Sequence, residues 1–117
     1  MAKYLIRGSY TLEGIKGLIL DGGSVRQKHF EENIFNLGGQ VESFYFAFGS
    51  DDIYAVLDLP DNVSSAAISL AINAGGGFKG ETVVLLTAEE MDLATQQAKT
   101  GGRKTPGGPA PKDGFRT

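Results

Sequence analysis

Apolar positions recur along this chain with two periods, and the switches between them mark out the elements. From Lys3 to Tyr10 the period is two: Tyr4, Ile6, Gly8 and Tyr10 share one face, and Leu5, Arg7 and Ser9 share the other, which predicts a strand. Thr11 can then cap a helix, with Glu13 in its first turn and Ile15, Leu18 and Ile19 at helical spacing. Gly22-Gly23 interrupts that pattern. Ser24 to Gln27 restarts it as a capping box, and Phe30, Ile34 and Leu37 form the apolar stripe of a second helical piece. Gly38-Gly39 ends it.

A hairpin follows over Gln40 to Pro60, turning at Gly49-Ser50-Asp51-Asp52. On its first strand Phe44, Phe46 and Phe48 face one way and Val41, Ser43, Tyr45 and Ala47 the other. On its second strand Ile53, Ala55, Leu57 and Leu59 oppose Tyr54, Val56 and Asp58. Pro60 closes the ladder, and Asp61 or Asn62 caps a helix over Val63–Ala74 that stops at Gly75-Gly76-Gly77. Glu81–Leu86 reads as the last strand. Thr87-Ala88-Glu89-Glu90 opens a short helix running to about Ala98, again as a capping box.

The order is β-α-β-β-α-β with an added helix, which predicts an α+β fold of the ferredoxin-like kind: a four-stranded antiparallel sheet with its helices on one face. The hairpin strands and the last strand carry apolar or aromatic residues on both sides, so the bare sheet face is expected to be covered. A second copy is the expected cover, giving a homodimer or higher homo-oligomer paired sheet to sheet. From Thr100 the composition changes. Residues 100–117 hold five of the seventeen glycines and three of the four prolines, so a folded domain is expected over 1–99 and a disordered, basic Gly/Pro-rich tail over 100–117.

Charge narrows the functional classes. Residues 1–99 carry 7 basic and 13 acidic side chains, a balance of −6, while the tail carries 4 and 1, a balance of +3. An acidic body argues against a nucleic-acid partner, because phosphate binding rests on clustered Lys and Arg. With no cysteine and one histidine, neither a disulfide framework, a thiolate metal site nor a two-imidazole site is available from one chain, and no metal or cofactor is expected. No run reaches the length of a membrane span, and the start lacks a signal-peptide pattern, so no membrane partner and a cytoplasmic location are expected.

The local motifs divide by context. Gly75-Gly76-Gly77-Phe78-Lys79-Gly80 matches G-x-G-x-x-G but lies between a helix and a strand, the reverse of the dinucleotide order, and reads as a helix stop. Asn62-Val63-Ser64 matches a glycosylation sequon at a helix start, where capping is the better account, and Pro106 to Pro109 is a P-x-x-P match in a Gly-rich tail. Arg7, a charge in mid-strand, is expected to pair with a carboxylate on a neighbouring strand, Asp58 for instance. His29 sits about 100° round its helix from the apolar stripe and reads as a partly exposed helix residue, with an acid/base role or haem ligation as the alternatives. Lys16 and Arg26 flank the Gly22-Gly23 break, whose freed backbone groups invite a ligand.

Several segments together resemble the GYD domain family of small bacterial proteins, which has no established activity: SYTLEGIKGL (9–18), GGSVR (22–26), LGGQVESFYFAFG (37–49), YAVLDLPDN (54–62) and LLTAEEMD (85–92). The resemblance covers about residues 3–95 and implies a ferredoxin-like fold of the dimeric α+β barrel type. It brings no catalytic residue with it. The family's Gly-Tyr-Asp run is replaced by Gly49-Ser50-Asp51-Asp52, with Asp51 where the Tyr is expected. Such barrels commonly hold a pocket between sheet and helices, and the resemblance places Tyr10, Lys16, Arg26, His29, Phe46 and Tyr54 as its candidate lining. The expected function is a homo-oligomeric module binding a small, partly apolar molecule, an anionic one included. The alternative is a small cofactor-independent enzyme of oxygenase or isomerase type, with His29 or a Tyr as acid/base.

Overall fold

The computed structural model describes residues 1–103, which fall into two units, Met1–Leu85 and a second beginning at Leu86. The first contains β1 (Ala2–Tyr10), α1 (Leu12–Asp21), α2 (Gly23–Asn36), β2 (Gln40–Phe46), β3 (Ile53–Leu59), α3 (Asn62–Ala74) and β4 (Phe78–Leu85). The second contains α4 (Ala88–Arg103). The four strands form one antiparallel sheet in the order β2-β3-β1-β4, the ferredoxin-like arrangement.

β1 lies inside the sheet, and its period-two pattern sorts the unit into two faces. Tyr4 and Ile6 point inward with Ala55, Leu57 and Leu59 of β3, and all five are buried beneath Ile34 of α2 and Ile68 of α3. The Tyr4 hydroxyl satisfies its buried polar end by donating to Asn62 Oδ1 at 2.7 Å, so the sequon asparagine serves the core. On the outer face, register aligns Ser43, Val56, Leu5 and Val83 in one row across the sheet. Tyr45, Tyr54, Arg7 and Glu81 form the row beside it. Asp58, Lys3 and Leu85 form the row on the other side. The outer face therefore carries a single apolar row between two mixed ones, rather than being apolar throughout.

Register also decides the ion pairs. Lys3, not Arg7, stands opposite Asp58 and binds it at 2.8 Å, while Arg7 stands opposite Glu81 and donates from Nε at 2.7 Å. The expected class of partner for Arg7 holds, and its identity changes to Glu81.

Local rules explain most element ends. Thr11 caps α1, accepting from the Gly14 N–H at 3.2 Å and donating to the Gly76 carbonyl at 2.8 Å, which ties the start of α1 to the α3–β4 turn. Asp61 caps α3 through the Ser64 N–H at 2.9 Å, a bond that holds its carboxyl below the usual range. In the second unit, Thr87 and Glu90 form a reciprocal capping box, at 3.1 and 2.8 Å.

Other ends depart from expectation. Ser24 does not cap α2. Gly22, at φ 86°, closes α1 and opens α2 at once, so Ser24 already lies within the first turn. A bulge between Val41 and Ser43 shifts parity in β2 and brings Val41 onto the core face with Phe44, while Phe48 lies beyond the strand and is fully exposed. β4 begins at Phe78 rather than Glu81, because Gly80 pairs with Gly8 and the Asn73 side chain bonds both backbone groups of Gly80, at 3.0 and 3.1 Å. α4 runs to Arg103 rather than Ala98, past the expected start of the tail at Thr100. Residues 104–117, with the Pro106–Pro109 match, lie outside the described residues.

The Gly8–Gly80 pair supplies a test of this packing. A Cβ on Gly8 meets the Lys79 carbonyl and the Gly80 backbone, neither of which is free to move aside. Gly8→Ala is expected to cost about 2 kcal/mol in urea unfolding, whereas Gly49→Ala, which meets nothing, stays within about 0.5 kcal/mol. Equal midpoints for the two variants would contradict the strand register.

Candidate functional site

The inner sheet face and α2 do not close completely. Arg26, Phe30 and Asn33 recur at i, i+4 and i+7 on α2, so they share one face, with His29 beside them. That face meets Tyr10 and Ile6 of β1, Ile53 of β3, Phe44 of β2, Ile72 of α3 and Phe78 of β4 around a cavity of about 130 Å³. Its walls are aromatic. Tyr10 and Phe78 meet edge to face at 5.4 Å, Phe30 lies 5.4 Å from Phe44, and Phe44 continues at 5.1 Å to Phe46. A second cavity of about 350 Å³ shares Tyr10 and is lined by Ile15, Leu18, Gly23, Phe46, Ala47, Phe48 and Asp52.

Each polar group at the first cavity is placed by a local feature. The Gly22 turn sets α2 against α1, so that the Arg26 guanidinium lies over Gly17, where any side chain would displace it. Arg26 Nε lies 3.2 Å from Asp21 Oδ2 but off the N–H direction, and it is shielded from water without a hydrogen bond. Tyr10 is fixed at its backbone, where its N–H donates to Asp52 Oδ2 at 2.9 Å. The β2–β3 turn is held to β1 by two further bonds, from the Asp52 N–H to the Gly8 carbonyl and from the Ser9 hydroxyl to the Ser50 carbonyl, both 2.8 Å.

Loss of solvent pushes the Tyr10 phenol above its ordinary pKa; Arg26 opposes the shift and Asp52 adds to it. At neutral pH the phenol is therefore protonated, able to donate and to accept. Among the described residues, no Asp or Glu lines the first cavity. The arrangement can hold a flat apolar group against ring edges while Arg26, His29 and Asn33 offer donors from α2 and Tyr10 offers its phenol from β1.

A family model, the GYD domain, matches residues 4–95. The chain belongs to the GYD domain family. No curated protein and no solved structure matches it.

Within this GYD domain the expected lining is partly assembled. Tyr10, Arg26 and His29 come together at the first cavity, and Phe46 lines the second. Lys16 is exposed on α1 and lines neither. Tyr54 lies on the outer face between Tyr45 and Arg7, across the sheet from both cavities. Phe30, Asn33, Phe44 and Phe78 were absent from the expected set. Asn33 could have been found from its helical spacing to Arg26. Phe78 could not, since it follows three glycines that read as a connection. The GYD domain also has a wider, open groove of about 660 Å³ between α2 and the β2 edge, whose Lys28, Glu31 and Glu32 mix both signs. Among the described residues, no cluster of three or more potential ligands could hold a metal ion, and no helix is long and apolar enough to cross a membrane.

The phenol gives a direct readout of this environment. In a titration followed by ring ¹³C resonances, Tyr10 is expected to ionise above the range of a free tyrosine. Because its folded pKa is raised, the domain loses stability as pH climbs from the unfolded value through the folded one, and Tyr10→Phe flattens that decline. An unshifted Tyr10 resonance would mean that the cavity is wet and open.

Proposed function

We propose that this GYD domain is a small-molecule binding module that works as a homodimer. The observation that supports binding is the aromatic cavity itself: Tyr10, Phe30, Phe44 and Phe78 at its walls, the polar Arg26, His29 and Asn33 beside them on α2, and a floor made by the inner sheet face. Native cores close such spaces, since every unfilled volume forfeits dispersion contacts. A cavity kept beside Arg26 and His29 supports a role in holding a ligand.

The dimer is supported by the outer face. Its one apolar row, Ser43, Val56, Leu5 and Val83, is flanked by rows that each carry both charge signs, already paired as Lys3–Asp58 and Arg7–Glu81. A two-fold axis parallel to the strands, between β1 and β3, would lay Leu5 on Val56 of the second copy and Lys3 on its Asp58 without opposing like charges, as an isologous interface needs. The three helices of the Met1–Leu85 unit pack on the opposite face.

Two measurements test the reading. Toluene should raise the melting temperature of the wild-type protein and leave that of Ile72→Phe, which puts a ring into the cavity, unchanged; an equal rise in both would remove the cavity as the site. Sedimentation at micromolar concentration should give a dimer, and Val56→Asp, burying an unpaired charge at the seam, should give a folded monomer. A wild-type monomer would rule out the sheet-to-sheet pairing.

A further inference from the structure

We propose that the ligand is a single-ring aromatic carboxylate, its ring in the 130 Å³ cavity and its carboxylate received by Arg26. This rests on the reading of that cavity as a ligand site and adds the ligand's chemical class.

Size sets the ring count. An apolar cavity of about 150 Å³ accepts one benzene, so this one, at about 130 Å³, has room for about one six-membered ring. The wall geometry agrees with a flat guest. Phe30, Phe44, Phe78 and Tyr10 are inclined to one another rather than stacked, leaving edges and faces for an inserted ring to meet edge to face.

Charge sets the substituent. Among the described residues the lining contains one of fixed charge, Arg26, and no carboxylate. Asp21, its ion-pair partner, lies outside the lining, is about one-third exposed (36%) and approaches Nε at 3.2 Å, off the N–H axis. Among the described residues the guanidinium spends no hydrogen bond, although its fork is built to take a planar carboxylate through two parallel bonds. The Nε donor, shielded from water and left without a hydrogen bond, is costly, and a bound carboxylate that reaches it relieves that cost. Asn33 and His29, on the same face of α2, border the same space and can bond the second oxygen. Because Arg26 is already paired with Asp21 at 3.2 Å, the guanidinium holds a carboxylate through its hydrogen bonds rather than through net positive charge, and the smallest anionic charge suits it. A phosphate monoester, with a charge of about −1.5 to −2, would be left undercompensated.

Gly17 is part of this assignment. Its lack of a side chain is what lets Arg26 lie flat against α1 and stay at the cavity's edge. Gly17→Leu should therefore expel the guanidinium without touching the ring walls.

The test is calorimetric titration of the full chain with benzoate and with methyl benzoate, its uncharged counterpart. Benzoate should bind the wild type more tightly than the ester, and Arg26→Gln should weaken benzoate about tenfold while leaving the ester unchanged. If the ester binds the wild type as tightly as benzoate, or benzoate is indifferent to Arg26→Gln, the carboxylate assignment fails and the cavity reading stands. If neither probe binds and toluene is also rejected, both fail together. Should Arg26→Gln not fold, the wild-type comparison of acid against ester decides alone.

Discussion

The alternation of β1 is the constraint on which the rest of this molecule depends. It is hydrogen-bonded on both edges, to β3 and to β4, so its register propagates across the whole sheet. A slip of one residue would carry Tyr4 and Ile6 to the outer face and Lys3 and Arg7 into the core, where unpaired charge is costly. The buried Tyr4–Asn62 bond, the Lys3–Asp58 and Arg7–Glu81 pairs and the Gly8–Gly80 contact each hold in one register only. Two surfaces of different character follow. The inner one packs under helices and frames the aromatic cavity, and the outer one carries a narrow apolar row between neutralised charges.

The helical layer is fitted to that sheet through the break at Gly22. A continuous helix from Leu12 to Asn36 would run straight past the sheet. The turn at φ 86° folds α2 back against α1 and brings Arg26 over Gly17. The same turn leaves a gap between α2 and the sheet, bounded by Phe30 and Phe44. The cavity and the placement of its one fixed charge thus share a cause, which is why the break matters more to the site than any single side chain.

Much of this architecture is legible in the sequence where a short-range rule governs it. The period-two and helical runs mark all the elements, and the caps at Thr11, Asp61 and Thr87 follow from side chains that reach two or three residues along. Long-range register is not written locally: Asp58 and Glu81 are equally plausible partners for Arg7 until β1 is aligned with both neighbours. The bulge at Val41–Ser43 likewise depends on how β2 meets β3, and it reverses the face assigned to Val41. Of the site, Tyr10, Arg26 and His29 were legible through the family resemblance, which implies a pocket between the sheet and its helices. The alternation that turns Ile53 inward turns Tyr54 outward, so Tyr54 could not have joined them. Phe78 was hidden because its strand is extended by Gly80 and Asn73, a pairing between segments that sequence spacing does not reveal.

The division of labour between the two sheet faces is the central claim. It is tested most directly by isotope-filtered nuclear Overhauser spectra of a mixture of methyl-labelled and unlabelled protein. The account predicts intermolecular contacts from the methyl groups of Leu5, Val56 and Val83, and none from Ile6, Ile53 or Ile72. Contacts arising from the helical side, or no intermolecular contact from the Leu5–Val56–Val83 row, would contradict it.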